Sequence, residues 1–166
     1  TGKTFIGAGN QFHTGCVIGD APQDLKYKGE PTRTRIGDNN VFREHVTVHR
    51  STTLDGETVI GSDNFLMANS HVGHNAILGN HIILANGALL AGHVTVTDRV
   101  FISGNCLLHQ FVRVGTLALM QGGSAVSFTK SVDNNGGIAT LGMIRNGADG
   151  ASGRGTLVRI KFKAKA

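Results

Sequence analysis

An all-β chain wound into a coil of short parallel strands is the fold class this sequence predicts, and three observations predict it. From Ile60 every sixth residue is aliphatic or Met: Ile60, Leu66, Val72, Leu78, Leu84, Leu90, Val96, Ile102, Leu108, Val114, Met120 and Val126. Four positions after most of these stands a small or β-branched residue, as at Ser70, Ala76, Ala88, Val94, Cys106 and Ala118. The composition agrees, because 24 glycines, two prolines, no tryptophan and 5% aromatic residues suit a turn-rich β architecture rather than a core of large side chains.

A helix repeats its apolar face near 3.6 residues and a half-buried strand near 2, so a strict six is neither. It fits a short strand followed by a corner, with the aliphatic residue and the small residue two before it both pointing inward. Three such strands close one 18-residue coil of a triangular prism, and successive coils pair in parallel. The same register opens the chain at Ile6, Phe12 and Ile18, is interrupted by the polar excursion APQDLKYKGEPTRTR, and resumes at Ile36, Phe42 and Val48. Residues 1–126 are therefore read as one coil domain that begins inside a hexad and is N-terminally incomplete, leaving an unpaired edge. Residues 127–166 are read as an atypical tail, a glycine-rich loop with a final strand where Val158, Ile160 and Phe162 alternate.

The formal charge of +5 points to an anionic partner. Lysine and arginine are dispersed except in RIKFKAKA, and no aromatic-flanked basic motif is present, so nucleic acid is not the expected partner. No stretch approaches the roughly 18 apolar residues of a membrane span, and TGKTFIGAGN lacks a signal-peptide layout; a cytoplasmic protein without a transmembrane segment is expected. Cys16 and Cys106 stand four residues after Phe12 and Ile102, at the inward small position, and read as core residues. Two thiols supply neither a disulfide framework nor a four-thiolate zinc site.

The 18-residue coil gathers histidines that are scattered in sequence. Residues 18 apart lie one above another at the ~4.8 Å spacing of paired strands, so His74, Gly92 and Gln110 form one column at a corner of the prism. Gly73, Ala91 and His109 form the column before it, and Asn75, His93 and Phe111 the column after. His71 points outward beside them, one before the inward Val72. A single histidine at an exposed corner is ordinarily just solvated, but four on one edge with a bare glycine among them mark a site. Imidazole also binds zinc, yet the His-x4-His spacing of the γ-class carbonic anhydrases is missing, and no metal or other cofactor is expected. Neither cysteine faces outward and no serine stands one coil from a histidine. What remains is a histidine general base, with the unobstructed N–H of Gly92 suited to an oxyanion.

The hexad pattern resembles that of the hexapeptide-repeat acyltransferases, which implies a left-handed parallel β-helix, against the usual right-handed crossover. More specifically, QDLKYKGEPTRTRIGD, VTVHRST, GSDNFLMANSHVGHN, ILANGALLAGHVTV and LLHQFVRVG, within residues 5–126, resemble the UDP-N-acetylglucosamine acyltransferases that begin lipid A synthesis. The resemblance implies transfer of an (R)-3-hydroxyacyl group from acyl carrier protein to the 3-hydroxyl of UDP-N-acetylglucosamine, by a homotrimer that needs no metal. It implies His74 as catalytic base and Gly92 as the oxyanion glycine, with His71, His93, His109 and Gln110 contacting substrate. Gln23, Asp24 and Lys26 match the residues that hold the sugar nucleotide, and Gly122 the position that sets acyl-chain length.

Asn75 departs from that pattern, because many members carry there an Asp that orients the base and supplies charge. The tail also departs from the family's helical C-terminal domain. Two alternatives accompany the acyltransferase reading: a catalytically silent β-helix trimer that binds a nucleotide sugar or partner, and a sibling acyltransferase with another acceptor, such as an amino sugar.

Overall fold

A computed structural model of the chain describes residues 2–121 throughout and the backbone of residues 125–133 and 138–146. Three parallel sheets form the faces of a prism. The first stacks Lys3–Ile6, Arg33–Ile36, Glu57–Ile60, Ile77–Leu78, Thr95–Val96 and Arg113–Val114. The second stacks Gln11–Phe12, Val41–Phe42, Phe65–Leu66, Ile83–Leu84, Phe101–Ile102 and Leu119–Met120. The third stacks Val17–Asp20, Thr47–His49, His71–Val72, Leu89–Leu90 and Leu107–Leu108.

In the coils from Ile36 to Met120 both inward positions of the hexad are where the periodicity puts them, whereas Ile6 and Phe12, on the same beat in the end coil, are exposed. Leu66, Val72, Leu84, Leu90 and Ile102 are fully buried, as are the corner residues Ala76, Ile82, Ala88 and Val94. Cys106 is buried, and Cys16 packs partly buried against the same core. Burial raises the thiol pKa of Cys106, which suits an inert core residue.

The turn between strands has one recurrent conformation. Three residues after most inward apolar residues the backbone is left-handed, at Asn39, His45, Asp63, Asn69, Asn75, His81, His93, Arg99, Asn105, Phe111 and Leu117, with φ between 55° and 65°. Asn and Asp tolerate this region, whereas a bulkier side chain pays roughly 1–2 kcal/mol for it. Phe111 and Leu117 hold it with their amides tied to the preceding coil, donating to the Gly92 and Asp98 carbonyls at 3.3 and 3.2 Å.

Asparagines line one edge. Asn10 Oδ1 accepts from the Asn40 amide, Asn40 Oδ1 from Asn64, and Asn64 Oδ1 from Ile82, at 2.9, 2.9 and 2.7 Å. Asn40 and Asn64 thereby occupy the inward small position without leaving a buried polar group unpaired.

Coil length is not uniform. Ile77 pairs with Thr95, 18 residues on, but Val48 pairs with Val72 and Ile36 with Ile60, 24 apart, and Ile6 with Ile36, 30 apart. The first excess is the polar excursion. The second is a loop spanning 50–56, which the six-residue count passes over because Leu54 stands on the beat; Leu54 is 52% exposed and belongs to no strand. Both insertions leave from the edge where the third face turns into the first.

Past Met120 the coil gives way to two antiparallel strands, Ala125–Asp133 and Ile138–Asn146. Val126, counted on the hexad beat, lies in the first of them, and a hairpin stands where composition suggested loop. The strand expected around Val158, Ile160 and Phe162 lies outside the described residues, as does Gly122.

Candidate active site

The edge that carries both insertions below carries the histidines above. A cavity of about 480 Å³ opens on it, lined by Gln23, His49, His71, His74, Gly92, His109 and Gln110, with Leu89 and Leu107 on its apolar side. His71, Leu89 and Leu107 stack outward on the third face, while Val72, Leu90 and Leu108 turn inward from the same strands.

His74 sits at the centre and is buried. Its Nδ1 is 2.8 Å from Asn75 Oδ1. That oxygen also accepts from the Thr52 amide at 3.1 Å and the Thr52 hydroxyl at 2.9 Å, while Asn75 Nδ2 donates to Ser51 Oγ at 2.7 Å. An oxygen that accepts from a backbone N–H presents only lone pairs to the ring, so His74 Nδ1 carries the proton. Nε2 is left with a free lone pair.

Gly92 lies directly above the ring. A Cβ built there would stand 2.4 Å from His74 Cε1 and 2.5 Å from Nε2, so any side chain would displace the imidazole. The Gly92 amide hydrogen has no acceptor among the described residues. Gly73 is equally confined, since its Cβ would meet the backbone of Leu90, Ala91 and Gly92 at 2.7–2.8 Å.

The remaining imidazoles pack around this pair. His93 stands edge-on to His74, ring centres 5.2 Å apart, and stacks on Phe111 at 4.7 Å. His71 accepts or donates at 2.7 Å with Thr47 Oγ1 and lies edge-on to His49 at 4.7 Å. Burial, reinforced by the neighbouring His49 and His74, lowers the His71 pKa to about 4. Burial lowers His49 and His93 as well; His74 adds to both effects, opposed at His49 by Asp20 and at His93 by Asp24. In all three the surroundings favour the neutral ring.

Of the residues expected to hold the sugar nucleotide, Gln23 lines the cavity, whereas Asp24 and Lys26 sit in the excursion beside it, Asp24 Oδ1 capping the Lys26 amide at 2.9 Å. Arg50 anchors the excursion. Its guanidinium donates to Tyr27 Oη at 2.9 and 3.1 Å and to the Gly19 carbonyl at 3.2 Å.

Comparison with known proteins bears on this arrangement. Residues 57–92 match the family model described as bacterial transferase hexapeptide (six repeats). The chain is 42% identical over 148 residues to the acyl-[acyl-carrier-protein]–UDP-N-acetylglucosamine O-acyltransferase of Gloeothece citriformis, an alignment that covers 86% of this chain and 54% of that protein. The chain belongs to the UDP-N-acetylglucosamine acyltransferase family. Among solved structures, the family member from Bacteroides fragilis superposes with a TM-score of 0.73 at 41% identity, covering 84% of this chain and 55% of that one. The Arabidopsis enzyme gives 0.69 at 35% identity, covering 86% and 51%. The prism is accordingly the family's left-handed parallel β-helix. The chain spans about half the length of the curated relatives it matches.

Sequence reasoning missed His49, which lines the cavity with its Nδ1 buried and unpartnered among the described residues. The signal was the 24-residue step from Val48 to Val72, which brings His49 level with Gly73. Ser51 and Thr52 escaped for the same reason.

Proposed function

We propose that the chain transfers an (R)-3-hydroxyacyl group from acyl carrier protein to the 3-hydroxyl of UDP-N-acetylglucosamine, the opening step of lipid A synthesis, with His74 as general base. One observation carries this reading: a buried imidazole whose proton is held on Nδ1, leaving Nε2 open beneath a bare glycine at a partly apolar cavity.

A sugar hydroxyl is too weak an acid to ionise at neutral pH, so it must lose its proton as it attacks the thioester carbon. Nε2 takes that proton, a transfer from a positioned base that typically contributes ~10²–10⁴ in rate. The carbonyl oxygen becomes anionic, and the Gly92 amide faces it; loss of one such donor typically costs roughly 3–4 kcal/mol. Collapse of the adduct expels the carrier thiolate, which recovers a proton from the imidazolium. His71, His93, His109 and Gln110 contact the substrates, Gln23, Asp24 and Lys26 hold the nucleotide sugar, and Gly122 limits acyl length.

Asn75 accepts the Nδ1 proton as an Asp would, but brings no negative charge to stabilise the imidazolium. The coil within residues 1–126 forms the catalytic unit, in a cytoplasmic homotrimer whose second subunit closes the open side of the cavity. Among the described residues no helix is long and apolar enough to cross a membrane. The test is acyl transfer from hydroxyacyl carrier protein to UDP-N-acetylglucosamine in the presence and absence of a chelator. Product formation unaffected by chelation is expected; a rate that collapses on chelation would replace the histidine base with metal chemistry.

A further inference from the structure

We propose that the 50–56 loop selects the protonation tautomer of His74, with Thr52 and Ser51 acting as positioning residues through the carboxamide of Asn75. An aspartate next to the ring presents two equivalent oxygens and accepts the Nδ1 proton whichever way it rotates. An asparagine has one accepting end and one donating end. Which end meets the ring decides where the ring proton sits.

The loop removes that ambiguity at both ends. The Thr52 backbone N–H can only donate, and it meets Asn75 Oδ1 at 3.1 Å, alongside the Thr52 hydroxyl at 2.9 Å. At the other end Ser51 Oγ receives Asn75 Nδ2 at 2.7 Å. The Ser51 proton is already committed to the Thr53 carbonyl at 3.1 Å, so this oxygen faces the amide as an acceptor. A flipped carboxamide would set its NH₂ against the Thr52 N–H, would oblige the Ser51 hydroxyl to leave the Thr53 carbonyl in order to donate to the flipped oxygen, and would force Nε2–H on the ring. That tautomer cannot take a proton from a hydroxyl.

The asparagine is fixed from a third side, since its own amide donates to Thr58 Oγ1 at 2.8 Å, and its backbone is locked in the left-handed corner. The side chain can rotate only about its last bonds, where Thr52 and Ser51 act. Ser51 is fully buried and serves no other side chain than Asn75 and Thr53 among the described residues.

The kinetic arm rests on the acyltransferase reading; the spectroscopic arm does not. In 15N-labelled protein, with the His74 signals assigned by their loss in His74→Gln, the ring nitrogens report Nδ1–H in the parent chain. The Ser51→Ala/Thr52→Val double variant removes the Thr52 hydroxyl and the Ser51 oxygen, leaves the Thr52 N–H as the one remaining hold on the carboxamide, and is expected to show a mixture of tautomers. Its kcat is expected to fall roughly 3- to 10-fold, the size of one or two lost hydrogen bonds, at unchanged KM. Thr52→Ser in place of Thr52→Val recovers the Thr52 share of the loss and leaves the Ser51 share. In an Asn75→Asp background the double variant should leave both tautomer and kcat where the Asp variant has them. An Nε2–H ring in the parent chain, or an unaltered Nδ1–H ring in a folded double variant, overturns the proposal. If no acyl transfer is detected while the tautomer responds as stated, the positioning role stands and the reaction must be reassigned.

Discussion

Coils from Glu57 upward and coils below it are built on the same hexad, yet they differ in what the hexad reveals. Above, every pairing step is 18 residues and the columns can be written down by counting: Gly92 falls on His74 and Phe111 on His93, as the ring contacts show. Below, steps of 24 and 30 residues hide loops inside an apparently unbroken rhythm. Leu54 keeps the beat and stands in solvent. A periodic pattern therefore fixes geometry only where hydrogen-bonded pairing confirms the period.

The largest expected effect lies in the regular half. His74→Ala should lower acyl transfer by at least ~10² with circular dichroism unchanged, because the coil ladder does not run through this side chain, while loss of its contacts with Asn75 and His93 lowers the melting temperature modestly. Near-normal turnover would remove the upper columns from the chemistry and leave the insertions as the functional part.

Gly92→Ala probes the counting itself. The new methyl cannot share space with the His74 ring, and a misplacement of about an ångström typically costs on the order of 10² in rate. The same rate in this variant and the parent chain would mean that the 18-residue column does not bring the two residues together.

A pair of leucines on the same beat separates the halves by stability. Leu84→Ala should destabilise by about 2–5 kcal/mol through lost burial and the cavity left behind. Leu54→Ala, on an exposed loop, should stay within about 0.5 kcal/mol. Equal denaturant midpoints for the two would erase the distinction drawn here.

The smallest effect is a pH dependence shared by both halves, since His49 and His71 come from opposite sides of the boundary. Their folded pKa values, like that of His93, lie below the ordinary 6.5, so between the folded and unfolded values the unfolded chain binds more protons. Stability is then complete above pH 6.5 and declines towards pH 4. His71→Gln should shallow the fall in melting temperature between pH 7 and pH 5; an identical fall would show that the imidazole is not the titrating group.

How much of this was legible follows from the same division. The core, the three faces and the columns through His74, His93 and Gln110 come from a period that sheet hydrogen bonding enforces. His49, Ser51 and Thr52 could not be placed, because a loop's length decides what it stands opposite and no residue type announces that length. The Asn75 contacts were half legible: its acceptor role follows from adjacency to His74, but its partners lie 23 and 24 residues back across the loop. The paired strands after Met120 leave the hexad beyond Val126, and their signal, two β-rich runs on either side of Asn-Asn-Gly-Gly, is easily taken for loop amid the glycines of the tail.

Both insertions leave the prism at one edge, and chain entropy gives that placement a further meaning. Closing a flexible loop costs (3/2)RT times the logarithm of its length, so a 30-residue step costs only about 0.5 kcal/mol more than an 18-residue step. A lengthened turn at this edge is therefore almost neutral for the equilibrium of folding, whereas a residue inserted within a strand would rotate every later side chain from core to solvent. The histidine edge is the place where the chain can be lengthened, residue by residue, while the rest of the coil keeps its phase.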